Sequence, residues 1–282
     1  MSHSGYRETA ESGRQIAARP RWLAENADKA WGEKFFLLYT PLWIGQVALA
    51  TVLGWSTRLS EAGLLLHAAL VWAPLLVVPW LWRVSARSGL RWYQSYWFKA
   101  NVYIALFSLL GNYFGSEYFF DVLGMVYKYP QLHLTFDAAL VGSGRQSVPL
   151  IMYLLTPAYF MTYHTTAVVA LRRLRTAWPR GAALVFPLAV GALAYGWAWL
   201  ETFAMANPLL REVFYYHRLE RMLTYGSAVY ACFFITSFPI FYFLDETESA
   251  RWSLKQTVAA ALAAAMLTFW LLDLLTHVIG SI

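Results

Sequence analysis

Seven apolar runs dominate the chain, at about residues 35–55, 62–82, 98–124, 149–170, 182–206, 223–244 and 256–279. Each is long enough, as a helix, to cross a hydrocarbon core of roughly 30 Å. A backbone in lipid must satisfy its own hydrogen bonds, which leaves helix as the state for such a run. With 59% hydrophobic and only 13% charged residues, the pattern predicts an all-α, polytopic transmembrane helical bundle of about seven spans, not a soluble domain.

Basic residues between the runs set the expected orientation, because Lys and Arg are retained on the cytoplasmic side. The N-terminal segment and the connections at 83–99, 171–180 and 251–255 hold sixteen, against six in the remaining segments. The N-terminus is therefore expected in the cytoplasm. The net charge of +6 reads as this bias plus attraction to anionic headgroups, with no basic stripe for a nucleic acid. Residues 1–34 form a polar N-terminal segment with no sign of a removable signal peptide. From Pro20 onward that segment predicts an interfacial helix. A second interfacial helix is expected over 208–223, and 131–148 reads as an irregular loop. Residues 35–282 form one membrane-embedded domain.

Polar residues inside the runs mark candidate sites. Asn101, Ser108 and Asn112 fall on one stripe of the third run, and Tyr113, Glu117 and Asp121 on another. Glu201 and Trp197 lie late in the fifth run, Asp273 in the seventh, and Tyr163 and His164 in the fourth. An amide or hydroxyl at such depth serves readily as a hydrogen bond between helices. A carboxyl is costlier to bury, at about 2.5–3.5 kcal/mol, and points to function. In the expected orientation Glu117, Glu201 and Asp273 all lie towards the far end of their spans and are expected to share a site. His164 lies nearer the cytoplasmic end and joins them only if the fourth span is broken near Pro157. Desolvation together with a like-charged neighbour favours one protonated carboxyl beside an ionised one.

Several chemistries have no foothold. The six histidines never take the short spacing of a di-iron or zinc helix, so no metal is expected. There is no GxGxxG, phosphate-binding loop or GxSxG. The single cysteine, Cys232, excludes an intramolecular disulfide. The seventh run holds no lysine for a retinal Schiff base.

The segments EKFFLLYTPLW (33–43), YWFKANVYIALFSLLGNYF (96–114), YFFDVLGMVYKYP (118–130), YHTTAVVALRRLR (163–175), LETFAMAN (200–207) and ITSFPIFYFLDE (235–246) together resemble cycloeucalenol cycloisomerase, the cyclopropyl sterol isomerase family of plants. The resemblance runs in order from about Trp31 to Ile279. It implies a cofactor-free integral membrane enzyme that opens the 9β,19-cyclopropane ring of a sterol to give a Δ8 product, cycloeucalenol to obtusifoliol in type. The expected partners are a sterol or other polycyclic triterpenoid and the lipid bilayer, in a bacterial inner membrane or the endoplasmic reticulum.

That chemistry requires protonation at C19, positive charge at C9 and loss of the C8 proton, so it needs an acid, a base and a cation-tolerant wall. The residues available assign Glu201 as acid and Asp273 as base, or the two in exchanged roles, with Glu117 and Asn112 orienting them. Tyr113 and Trp197 shield the cation, and Asn101, Tyr163 and His164 complete the substrate-binding set. A Δ8–Δ7-type sterol isomerase would use the same equipment, and a sterol- or hopanoid-binding or transport protein would use the carboxyls to grip a hydroxyl.

Overall fold

In the computed structural model, which describes residues 20–280, every one of the seven runs is helical, and about 74% of the chain is helix. The polar N-terminal residues before Pro20 lie outside the described residues, and with them the reading about a signal peptide. The principal helices are α1 (Ala27–Val52), α2 (Glu61–Trp72), α3 (Pro74–Leu81), α4 (Tyr96–Leu110), α5 (Ser116–Asp121), α6 (Leu150–Ala177), α7 (Ala182–Met205), α8 (Cys232–Phe243) and α9 (Leu254–Ile279). Four stretches are long and apolar enough to cross a membrane: Ala27–Val52, Pro179–Met205, Leu219–Phe243 and Leu254–Ile279. A fifth is added if α2 and α3, bent by 49° where Pro74 opens α3, make one broken span.

The runs at 98–124 and 149–170 are helical too, but much of their length faces protein instead of lipid. α6 packs against α1, α2, α4, α7 and α8, which makes it the central helix. Its polar side chains Thr156, Thr162, His164, Thr165 and Arg172 are all buried. They lower its hydropathy, and Thr156, Thr162, His164 and Arg172 each hydrogen-bond to another part of the bundle.

Local chemistry moves two expected elements. The helix expected from Pro20 begins at Ala27, because the Asn26 side chain accepts from the Asp28 and Lys29 amides and caps the first turn there. From that cap α1 runs unbroken into the first apolar run. The helix expected over 208–223 is replaced by a turn at Pro208–Leu210 and a strand, β2 (Phe214–Tyr216), antiparallel to β1 (Met125–Tyr127). Aromatic and β-branched residues suit this ribbon, and Gly124, at φ 63°, supplies the left-handed turn leading into β1. The pairing Met125↔Tyr216 and Tyr127↔Phe214 puts those four side chains on one face. The 131–148 segment is irregular, as expected.

At one end of the bundle, buried charges join elements distant in sequence. Arg172, near the end of α6, uses all five of its N–H donors. It donates to Glu33 through both terminal nitrogens (3.0 and 2.6 Å), to Glu246 through Nε and a terminal nitrogen (2.6 and 2.8 Å), and to the Trp22 carbonyl (2.8 Å). Lys29 donates to Glu246 (2.9 Å) and to the Tyr242 and Leu244 carbonyls (2.7 and 2.8 Å). Lys99 pairs with Asp245, and Asp28 accepts the Tyr96 amide at 2.6 Å, capping α4. Full use of the donors is what makes such burial tolerable.

Removing one partner leaves a buried charge alone. Arg172→Met is expected to destabilise the protein by about 3–5 kcal/mol, and Arg172→Met combined with Glu33→Leu to recover much of that loss. Thermal unfolding in detergent compares them, and equal losses would refute a charge-pair origin. Burial opposes ionisation of Glu246, but Arg172 and Lys29 outweigh it and hold the carboxyl below its ordinary 4.5. Its stabilisation is therefore present above that value and lost as pH falls through the lower folded value. Between about pH 5 and 3 the unfolding midpoint should fall more steeply for the wild type than for Glu246→Gln.

Candidate active site

Glu201 sits near the end of α7, one turn beyond Trp197, where the helix passes the ribbon. The Tyr230 hydroxyl donates to its Oε2 at 2.5 Å, and the Tyr163 hydroxyl lies beside the same carboxyl. Tyr127, Tyr159 and Tyr216 stand within electrostatic reach. Tyr163 is held in turn by stacking on Trp197, with ring centroids 4.5 Å apart. A phenolic O–H donating to a carboxyl in a site short of water is a strong, charge-assisted contact when the carboxyl is ionised.

From Glu201 a narrow cavity of about 60 Å³ extends between α4, α6, α7 and the 219–243 helix. Ser108, Asn112 and Thr156 supply polar lining, and Phe119, Phe160, Phe233, Tyr127, Tyr159 and Tyr230 supply aromatic faces. Met125 and Tyr127, two apart on β1, both line it, which is why the register of the ribbon matters. Glu201 is the one carboxyl lining the cavity among the described residues.

The backbone opens where the cavity needs room. Between α4 and α5 the chain makes a π turn at Gly111–Gly115, and a second lies at Met222–Gly226. Such wide turns are frequent at functional sites. Here the first one carries Asn112. A Cβ at Gly115 would come within 2.7 Å of Phe233 Cζ, so glycine is what lets that ring lie against the helix and wall the cavity.

Of the residues expected from sequence, the structure brings Glu201, Asn112 and Tyr163 together, with Trp197 behind Tyr163. Asp273 does not join them. Its side chain is 60% exposed and faces His277 one turn on, because it falls on the outer face of α9. Glu117 is buried, but against Gly142 of the 131–148 loop and away from the cavity lining. Tyr113 packs on Phe114 and Phe136. Asn101 bridges helices, donating to the Leu75 carbonyl at 3.2 Å and the Trp97 carbonyl at 2.8 Å. His164 is fully buried, contacts the Phe160 carbonyl (2.7 Å) and Ser237 Oγ (2.8 Å), and is packed by the rings of Phe107, Phe238 and Phe241. The shared depth of three carboxyls did not make them neighbours, since depth fixes height in the bundle but not which way a helix face turns.

The residues missed were Tyr230, Tyr127, Tyr159 and Tyr216 around the carboxyl, and Thr156 opposite Asn112. Thr156, Tyr159 and Tyr163 follow helical spacing on α6, a signal that was present. The ribbon tyrosines had none until β1 and β2 paired.

The long apolar helices mark a membrane protein, and a carboxyl held by phenols and walled by aromatic rings suits the proton transfers of an isomerase. The chain belongs to the cycloeucalenol cycloisomerase family, being 38% identical over 270 residues to the cycloeucalenol cycloisomerase of Arabidopsis thaliana, an alignment covering 93% of this chain and 90% of that one. No family model matches the chain, and no solved structure matches it at a significant level.

Because Asp273 lies on an exposed face, Asp273→Asn is expected to change stability by less than about 0.5 kcal/mol and to leave turnover unaltered. Thermal unfolding and a sterol turnover assay check this, and a large loss of turnover with intact folding would return Asp273 to the site.

Proposed function

We propose that this protein opens the 9β,19-cyclopropane ring of a cyclopropyl sterol, or of another polycyclic triterpenoid of that kind, with Glu201 as the group that moves the proton. The observation that carries the reading is the single carboxyl in an aromatic-walled cavity, held by Tyr230 at 2.5 Å, in a chain of this family.

The protonated Glu201 gives its proton to C19 as the C9–C19 bond breaks. The electrons of that bond form the new C–H bond of the methyl group, and positive charge develops at C9. The faces of Phe119, Phe160 and Phe233 and the surrounding tyrosines stabilise that charge, more effectively in a dry site than in water. Loss of the C8 proton to the Glu201 carboxylate then forms the Δ8 double bond and restores the acid, so no net proton is consumed. Tyr230 and Tyr163 orient the carboxyl and donate to it while it is ionised. With Asp273 placed elsewhere, one carboxyl takes both steps in this proposal. The reaction needs no redox agent, which supports a cofactor-free enzyme.

The same proposal sets the chain in its membrane. Seven helical segments cross, with α2 and α3 forming one broken span and α6 running through the centre. The excess of Lys and Arg on one set of connections supports a cytoplasmic N-terminus. The site then lies towards the far side, in a bacterial inner membrane or the endoplasmic reticulum.

The test incubates membranes containing the protein with cycloeucalenol in deuterated water and analyses the sterols by mass spectrometry and NMR. One deuteron in a new C19 methyl, together with a Δ8 double bond, is the expected product. Glu201→Gln is expected to lower turnover by about 10²–10⁴-fold while leaving the fold intact. Full turnover by a folded Glu201→Gln protein would refute the role of Glu201. A Δ7 product, or tight binding without product, would replace the reaction itself.

A further inference from the structure

Away from Glu201, the polar lining of the cavity has hydrogen-bonding capacity that no protein group fills. Asn112 donates through Nδ2 to the Ser108 carbonyl (2.9 Å) and to Thr156 Oγ1 (3.1 Å). The first partner is a carbonyl, which fixes which end of the amide is nitrogen. Thr156 uses its own hydrogen on the Met152 carbonyl at 2.6 Å, so it accepts from Asn112. Both amide hydrogens are therefore engaged, and among the described residues nothing donates to Asn112 Oδ1.

Ser108 is the second unfilled group. Its side chain is 1% exposed, and its Oγ has no hydrogen-bond partner. Thr51, Thr202 and Ser237 return their hydroxyl to the carbonyl four residues back. Ser108 does not. It stands one turn before Asn112 on the same helix face, and both line the cavity. A buried donor beside an open acceptor on the same helix face, with no charge between them, is the complement of a neutral hydroxyl, which accepts one hydrogen bond and donates another.

We propose that Ser108 and Asn112, with Thr156 holding the amide, bind the hydroxyl of the polycyclic alcohol and so determine which part of it reaches Glu201. This rests on reading the cavity as the substrate site. The substrate oxygen accepts from Ser108 Oγ, and its hydrogen goes to Asn112 Oδ1. In a 3-hydroxy cyclopropyl sterol the hydroxyl is on ring A and the strained ring lies at C9 and C10. Anchoring one end therefore directs the other to the carboxyl.

The test crosses two proteins with two substrates: wild type and Ser108→Ala, each with a 3β-hydroxy cyclopropyl sterol and its 3-deoxy analogue. Ser108→Ala is expected to lower kcat/KM for the hydroxy sterol by about tenfold to a hundredfold, and to change it less than about threefold for the deoxy analogue. An equal loss on both substrates would mean a structural role, and no loss on either would mean no contact; each overturns the proposal. Should Ser108→Ala not fold, the wild type alone decides, because equal kcat/KM for the two substrates would overturn it as well. Glu201→Gln separates the two readings. If it abolishes turnover while Ser108→Ala fails to discriminate, the anchor alone is wrong. If it abolishes the preference for the hydroxyl but not the turnover, Glu201 is the anchor instead.

Discussion

Arg172 is the side chain whose placement the bundle depends on. A guanidinium can lie in a protein interior only if its donors are met and its charge is balanced. Here that requirement calls on Glu33 from α1, Glu246 from the segment after α8 and the Trp22 carbonyl from the chain entering α1. Three distant parts of the sequence must converge before α6 can be buried at that end. Lys29 extends the same junction to the carbonyls of Tyr242 and Leu244, and Lys99 with Asp245 brings in α4. Apolar contacts alone would let helices in lipid slide and rotate, since lipid is as apolar as leucine. The charge junction has one register, and it fixes the rotation of α6. That rotation points Thr156, Tyr159 and Tyr163, lower on the same helix, towards the cavity.

Strong polar chemistry is thus divided between two ends of the molecule. At the junction acids and bases are paired, so their charges are neutralised locally and their donors occupied. At the cavity a single carboxyl faces hydroxyls, which hold its direction without fixing its protonation state as an arginine would. The proposed reaction suits that second arrangement, because in it Glu201 gives up a proton and takes one back. The rings around the cavity serve the same end. They exclude water and present negative faces wherever positive charge develops.

Much of this was legible in the sequence at the level of elements. Seven apolar runs predicted about seven spans; all seven runs are helical, and four or five stretches are long and apolar enough to cross a membrane. Glu201 and Asn112 stood out in the sequence because a carboxyl or amide at membrane depth is costly to leave facing lipid. Rotation about a helix axis was not readable, and Asp273 shows why. Residue 273 has the same depth on either face of α9, and only the packing of α9 on α4 and α8 decides that it points outward. Asn101 likewise lies away from the cavity, its amide nitrogen donating to two carbonyls within the bundle. The junction itself was hidden because Glu33, Lys29 and Arg172 sit at the polar edges of apolar runs, where a surface role is the default. The ribbon was hidden because its two strands, three residues each and some ninety residues apart, carry no periodicity of their own.

The tyrosines around Glu201 give a reason for the ribbon. A site with one carboxyl must hold that group still without a cation, and it can do so only by surrounding it with neutral donors. Helix faces provide Tyr163, Tyr159 and Tyr230. A helix presents a residue on one face about once per turn, so these two helices reach only part of the circle. The strand pair fills the remaining side, with Tyr127 and Tyr216 on its inward face and Met125 closing the cavity beside them. An otherwise helical membrane protein therefore has cause to break its helices at Asp121 and after Met205.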